Sequence, residues 1–153
     1  MKNIEYVNGN RELLETVKPL WEKLNEHHKN NSTDFSEVYE AFTFEDRSKK
    51  FYSSEIKSVN IELVKDVEKG KYVGYCISTI SKEFVGEIDS LYIDNDYRSL
   101  GIGDNLMERA IQWLDNNNVK KKIIGVAAGN EKVLEFYKRH GFYKRTTILE
   151  QKW

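Results

Sequence analysis

The order of apolar and polar positions predicts helices at the start of the chain. From Leu13 onward the apolar residues recur every three or four positions, which is typical of one face of a helix. Pro19 falls inside this stripe, and we expect it to kink the helix or divide it into two pieces. A polar loop over residues 27–33 should follow, and then a second helix carrying Tyr39 and Phe42.

In the middle of the chain the apolar residues alternate with polar ones, a period typical of half-buried strands. This alternation predicts strands over Val59–Val67, Tyr72–Ile80 and Val85–Ile93, and a short strand over Asn3–Val7 precedes the helices. A turn at Glu68–Lys71 should join the first two long strands as a hairpin. The chain therefore carries a run of strands that can pair antiparallel.

The last third of the chain alternates helices with strands. Its predicted elements are a helix from about Ile102 to Asn116, a strand over Lys122–Ala127, a helix over Asn130–His140, and a final strand or pair of strands over Phe142–Trp153. Strands in sequence followed by a strand–helix alternation predict a mixed-sheet domain of the α/β or α+β class.

Composition narrows the class of protein. The chain has 153 residues, of which 39% are hydrophobic and 32% charged, and its formal net charge is −1. These values predict one domain over residues 1–153 and give no reason to expect nucleic acid as a partner. No apolar run approaches the ~20 residues of a membrane span, and the first residues lack the apolar core of a signal peptide. The single cysteine, Cys76, cannot form an internal disulfide. We therefore expect a cytoplasmic protein without a membrane partner.

The loop before the Ile102 helix carries candidate chemistry. A strand leads into a segment that contains Gly101-x-Gly103, and a helix follows at once. Backbone N–H groups at such a helix start lack intrahelical partners and suit a phosphate, while Arg98 adds a positive charge. A plain glycine turn is the alternative for this short pattern. A dinucleotide fingerprint is excluded by Leu106, and a P-loop by Asp104.

A wider pattern is more specific. Arg98–Gly103 resembles the Arg/Gln-x-x-Gly-x-Gly/Ala pyrophosphate motif of the GNAT superfamily of acyl-CoA-dependent N-acetyltransferases. Downstream, Asn130 is followed by Tyr137 and by Gly141-Phe142, which is similar to the second motif of that family. The resemblance runs from about Glu87 to Phe142, with both motifs in the family's order.

The resemblance implies a fold and a cofactor. The fold is a mixed, mostly antiparallel central sheet with helices on both faces, and the co-substrate is acetyl-CoA, with no metal. The pantetheine arm would pair with a strand edge, and backbone amides would hold the pyrophosphate. The residues implied to bind the cofactor are Leu91, Tyr92, Ile93, Arg98, Ser99, Leu100, Gly101, Ile102, Gly103, Asp104 and Asn130.

The reaction needs a base and an acid. A lysine-like amine with a pKa near ~10.4 must lose a proton before it attacks a thioester. Glu87 and Asp89 lie two positions apart, so without a bulge they face one side of a strand. Either carboxylate, or a water relay, is a candidate base, and two ordinary solvent-facing carboxylates are the alternative. Tyr137 is the candidate acid for the departing thiolate, and packing beside Leu134 is its alternative.

The acceptor is expected to be an amine. The resemblance places its site near the first two helices, and Trp21, Phe35, Tyr39 and Phe42 are the candidate wall residues. The carboxylates favour a cationic small molecule, whereas a protein N-terminus or lysine is a further candidate. A catalytically silent acyl-CoA sensor is the competing function. Exposed strand edges can pair with a second copy of the chain, so a homodimer is compatible with the sequence but does not follow from it.

Overall fold

Five strands form one sheet in the order β1-β2-β3-β4-β5 in the computed structural model, which describes residues 3–152. Neighbours from β1 to β4 pair antiparallel, and β5 pairs parallel with β4. The strands are β1 Ile4–Gly9, β2 Ile56–Asp66, β3 Lys71–Ser81, β4 Val85–Ile93 and β5 Lys121–Ile124. The predicted mixed, mostly antiparallel sheet is confirmed.

Helices cover both faces of the sheet, as predicted. They are α1 Leu14–Asn31, α2 Ser36–Ala41, α3 Phe44–Ser48, α4 Ile102–Asn116 and α5 Leu134–Lys138. On one face α1 buries Val17, Leu20 and Trp21 against β2 and β3. On the other face α4 buries Leu106 and Leu114 in a second core, against which part of α5 also packs. The two cores hold β3 and β4 rigidly between them.

The first helix differs from its prediction at Pro19. The proline lies within α1, which is continuous from Leu14 to Asn31, so the division at Pro19 is not found. Of the polar loop predicted over residues 27–33, residues 27–31 are helical and only Ser32 and Thr33 lie in the loop before α2. Pro19 cannot donate a hydrogen bond to the carbonyl four residues earlier. Apolar residues on either side of it, Val17 and Leu20, are buried in the core, and this packing keeps the helix continuous.

The end of the chain also differs from its prediction. The region predicted as one helix over Asn130–His140 consists of a 3-10 turn at Glu131–Val133 and the short α5. Residues 142–152 form no strand, while Trp153 lies outside the described residues. The adjacent Ile148 and Leu149 are about nine-tenths exposed, at 89% and 90%. A strand in this segment would need a neighbouring strand to be stable, and the described residues provide none.

The pairing of β4 with its neighbours is irregular near residue 89, beside the candidate site. The pairing of β3 with β4 shifts between Ile77–Ser90 and Ser78–Ile88, which leaves Asp89 as an extra residue of β4. The pairing of β4 with β5 covers only Val85–Ile88. Beyond Ile88, one edge of β4 therefore has no strand beside it, and its backbone faces the space that the two cavities described below occupy.

Candidate active site

A cavity of about 410 Å3 lies where β4 leads into α4, and we term it the loop cavity. Most of the predicted cofactor residues line it, namely Leu91, Tyr92, Ile93, Arg98, Ser99, Gly101, Gly103, Asp104 and Asn130. Two others lie elsewhere. Leu100 is 52% exposed outside the lining, and Ile102 is buried in the core beside α4.

The start of α4 supplies free backbone donors to the loop cavity. Gly101 precedes the helix with a φ of 80°, in the left-handed region that glycine adopts without strain. No described side chain caps α4, so the N–H groups of its first turn remain available at the positive end of the helix dipole. A Cβ atom at Gly103 would lie 3.2 Å from the ring of Phe136, because α5 packs directly against this turn.

The charges around the loop cavity favour an anion. Asp104 is the acidic residue in the first turn of α4, and its carboxylate contacts His140 at 2.7 Å and Arg139 at 2.9 Å. The hydrogen bond from His140, and then that from Arg139, lower the pKa of Asp104. Arg98 donates a hydrogen bond from Nε to the carbonyl of Ile93 at 2.9 Å, which holds its guanidinium at the cavity wall. Cationic side chains thus accompany the free amides.

A second cavity, of about 230 Å3, lies between α1, α2 and the end of β5. We term it the aromatic cavity, because Trp21, Tyr39 and Phe42 form part of its wall. The rings of Trp21 and Phe42 meet edge-on with 5.7 Å between their centroids. Three of the four predicted acceptor residues therefore lie together, whereas Phe35 is not among the lining residues.

Tyr137 lies where the two cavities meet. The residues common to both linings are Leu24, Leu91, Asn130, Val133 and Tyr137. Burial raises the pKa of Tyr137 to about 12, so its phenol is protonated at neutral pH. Within residues 3–152 its hydroxyl has no hydrogen-bond partner, which leaves it free to donate to a group at the junction.

The two predicted carboxylates are engaged with cations. Both contact the ammonium group of Lys50, so they share one side of β4 despite the irregularity at Asp89. The side chain of Asp89 is 0% exposed and also accepts a hydrogen bond from Thr79 at 2.6 Å. Burial, and then the neighbouring Glu87, raise the pKa of Asp89. Glu87 keeps 29% exposure but lines neither cavity.

Sequence reasoning missed the cations that hold β4. Arg47 donates a hydrogen bond from Nη2 to the backbone carbonyl of Asp89 at 2.9 Å, just beyond the part of β4 that pairs with β5. A signal was present in the chain. Phe44 and Phe51 are seven residues apart, a helical spacing that would place Arg47 on the same face as two apolar residues, but this spacing does not identify its partner in β4.

Other residues singled out by sequence have structural partners. Asn130 does not cap the turn that follows it, and its side chain instead contacts Nε2 of His27 at 3.3 Å. Cys76 is buried, and burial raises the pKa of its thiol to about 12, so the thiol is not ionised at neutral pH.

Two further searches of residues 3–152 gave no candidate. No group of three or more His, Cys, Asp or Glu residues there is placed to bind a metal ion. No helix in the same range combines the length and apolar character needed to cross a bilayer.

Comparison with solved structures supports the fold. A GCN5-related N-acetyltransferase from Ralstonia eutropha superposes with a TM-score of 0.72 at 16% identity, covering 98% of this chain and 99% of that one. The aminoglycoside N-acetyltransferase AAC(6')-Iy in complex with CoA gives 0.67 at 12% identity, covering 100% and 96%. An aminoglycoside acetyltransferase from an uncultured soil sample, in complex with sisomicin, gives 0.65 at 15% identity, covering 98% and 95%.

Comparison of sequences identifies the family. An uncharacterized N-acetyltransferase of Methanocaldococcus jannaschii is 34% identical over an alignment of 85 residues. This alignment covers 52% of this chain and 38% of the relative. The chain thus matches well under half of that relative's length. The profile of the Acetyltransferase (GNAT) family matches residues 20–142, which include both cavities' main walls. With that match over most of its length, the chain belongs to the GNAT acetyltransferase family.

Proposed function

We propose that this protein transfers the acetyl group of acetyl-CoA to a primary amine by direct attack. The observation that carries the proposal is the meeting of the loop cavity and the aromatic cavity at Tyr137. Two substrates that enter from opposite sides would meet beside one protonated phenol. A direct reaction needs such a junction, since both substrates must be bound at once.

The loop cavity fits the diphosphate of coenzyme A. The amides of the first turn of α4 would donate hydrogen bonds to it, and Arg98 and Arg139 would supply positive charge. The unpaired edge of β4 near Leu91 and Tyr92 offers backbone groups to the amides of the pantetheine arm. Acetyl-CoA would bring the acetyl group as a thioester to the junction.

In the reaction, the amine nitrogen forms a bond to the acetyl carbon and the carbon–sulfur bond breaks. We propose that Tyr137 donates its proton to the departing thiolate. A backbone N–H near Leu91 or Tyr92 would stabilise the negative charge on the acetyl oxygen. The amine proton would pass through water towards Glu87, because Glu87 lies outside both cavities and already contacts Lys50. Asp89, whose side chain is fully buried, fits a structural role better than that of a base.

The acceptor is proposed to be a small amine. Two structural neighbours are aminoglycoside acetyltransferases, one of them with sisomicin bound, which would favour the cationic small molecule predicted from sequence. That prediction relied on Glu87 and Asp89, and both carboxylates are paired with Lys50. A protein N-terminus or lysine as the acceptor, a homodimer and the cytoplasmic location all stay predictions.

An amine-library screen that measures release of the coenzyme A thiol would test the proposal. We expect acetyl-CoA-dependent thiol release with at least one class of primary amine and a matching mass increase of about 42 Da in the product. Calorimetry with acetyl-CoA provides the second measurement. Binding without turnover of any amine would favour the silent sensor, and absence of binding would overturn the proposal altogether.

A further inference from the structure

We infer that the amine acceptor carries a carboxylate group and that Arg47 binds this carboxylate in the aromatic cavity. The inference rests on the proposed acetyl transfer and names the chemical class of its acceptor. The class is a primary amine of amino-acid size with an apolar side chain. The unused donors of Arg47, and the cavity's size and walls, support it in turn.

Arg47 presents unused hydrogen-bond donors to the aromatic cavity. Its guanidinium is anchored through Nη2, which donates a hydrogen bond to the carbonyl of Asp89 at 2.9 Å and lies 3.7 Å from the carboxylate of the same residue. The guanidinium also lies over the ring of Phe51 at 5.3 Å. Among the described residues Nε and Nη1 have no partner, and the side chain is 22% exposed where it lines the cavity. A guanidinium fixed at one corner with donors to spare is suited to bind a carboxylate by two parallel bonds.

The exposed charge in this cavity is positive. Arg47 and Asp89 are the lining residues with charged side chains, and the side chain of Asp89 is 0% exposed. Both oxygens of that carboxylate are already engaged, one by Lys50 and the other by Thr79. A ligand in the cavity therefore meets the backbone of Asp89 but the charge of Arg47. The donors of Arg47 that Asp89 leaves unused therefore favour an anionic group on the ligand, although Arg47 is also ion-paired with the buried carboxylate of Asp89.

The size and the walls of the cavity limit the rest of the acceptor. Its volume of about 230 Å3 lies below the ~300–1,000 Å3 of pockets that hold drug-sized ligands. Trp21, Tyr39 and Phe42 offer an apolar surface for one side chain. A free amino acid with an aliphatic or aromatic side chain combines the three required features, which are an amine, a carboxylate and an apolar group.

The positive charge also assists the reaction. A guanidinium that pairs with the acceptor's carboxylate cancels the negative charge that stabilises the neighbouring ammonium form, so the pKa of the amine falls and a larger fraction is able to attack. The acceptor's own carboxylate offsets the repulsion during binding. The amine would point towards Tyr137, at the junction with the loop cavity.

Matched acceptor pairs test the inference. Phenylalanine and phenethylamine differ only in the carboxylate, as do leucine and 3-methylbutylamine. Thiol release with acetyl-CoA gives kcat and KM for each compound. We expect kcat/KM to be at least ~10-fold higher for the member with the carboxylate, since a hydrogen bond to a charged group contributes this much or more. Higher or equal kcat/KM for the amines that lack a carboxylate would overturn the inference.

Variants then assign the preference to Arg47. In Arg47→Gln we expect the advantage of the amino acid to fall by roughly 10- to 100-fold, mainly through KM. Arg47→Lys should retain part of it, since the charge remains but the paired geometry is lost. Lys49→Gln is the matched control, because this substitution also removes one positive charge from the same segment. Lys49 is 80% exposed and lines neither cavity.

The outcomes separate this inference from the proposed function. Thermal stabilisation of each variant by acetyl-CoA checks that the loop cavity is intact. Turnover of amines without carboxylates, with no change of preference in Arg47→Gln, would overturn the carboxylate inference and leave acetyl transfer standing. Acetyl-CoA binding without turnover of either series would overturn the carboxylate inference, and the amine-library screen would then decide the proposed acetyl transfer. If Arg47→Gln does not fold, the ratio of kcat/KM within each acceptor pair, measured for the unmodified protein, still decides whether the acceptor carries a carboxylate.

Discussion

Lys50 donates a hydrogen bond from Nζ to Oε1 of Glu87 at 2.8 Å, and the same ammonium group contacts the carboxylate of Asp89. One lysine from the segment after α3 thus contacts two acids of β4. Because the side chain of Asp89 is fully buried, its charge depends on Lys50 and on the more distant Arg47, whose Nη2 lies 3.7 Å from Oδ1.

Replacing Lys50 by methionine should destabilise the protein strongly. The change removes the cation closest to a buried carboxylate, and an uncompensated buried charge costs ~3 kcal/mol or more. Urea unfolding at pH 7 measures the free energy of unfolding. The double variant Lys50→Met, Asp89→Asn should recover much of the loss, because the buried group is then neutral. A single variant within about 0.5 kcal/mol of the unmodified protein would contradict this interpretation.

Tyr137→Phe should lower kcat by ~10-fold or more, while acetyl-CoA binding changes little. The phenol is the proposed proton donor at the junction, and general acid catalysis contributes factors of ~100 to 10,000. Tyr143→Phe is the matched control, because Tyr143 is 72% exposed and follows the same region of the chain. Steady-state thiol release gives kcat, and calorimetry gives the affinity for acetyl-CoA. Equal kcat in both variants would remove Tyr137 from the mechanism.

Gly101→Val should abolish the thermal stabilisation that acetyl-CoA gives. The φ of Gly101 is 80°, and a side chain there would project into open space at the loop cavity. Gly70→Val is the matched control, since Gly70 has a φ of 63°, similar open space and a position in the distant β2–β3 turn. Both variants should lose about 1–2 kcal/mol of stability through backbone strain. Stabilisation by acetyl-CoA that persists in Gly101→Val would contradict the assignment of the loop.

The pH dependence of stability should report on His28. Burial, and then the neighbouring His27, lower the pKa of His28 from 6.5 to about 4. Between these values the unfolded chain binds a proton that the folded protein does not, so stability falls as the pH drops through this window. His28→Phe keeps a ring beside Tyr39 but removes the titration. Urea unfolding at pH 7 and pH 4.5 should show a smaller loss for the variant, and an equal loss would be evidence against the shift.

Periodicity was sufficient to predict most of the fold. The long strands and α4 carry clear apolar patterns, and each bounds a core that the structure contains. The pattern failed where tertiary contacts decide the outcome. Val17 and Leu20 keep α1 continuous through Pro19, and no neighbouring strand supports the segment after Phe142 among the described residues. Local sequence contains neither kind of information.

The candidate site likewise has one part that the sequence predicts and another part that depends on tertiary contacts. The loop from Arg98 to Gly103 is contiguous, so its motif could be read directly. Arg47 and Lys50 reach β4 from about 40 residues earlier in the chain, with separations of 42 and 37 residues for their contacts with Asp89 and Glu87. A pairing over such distances depends on the packing of α3 against the sheet, which no spacing rule describes.

Arg47 and Lys50 hold the wall of the aromatic cavity against β4 at a fixed position. Tyr39 and Phe42, which lie between that point and α1, belong to a short helix and the turn after it. Substitutions there would reshape the entrance for acceptors without disturbing β4 or Tyr137. An engineer seeking a new acceptor range for this scaffold would accordingly randomise residues 35–42 and keep Thr43, whose side chain caps α3, and Lys50 unchanged.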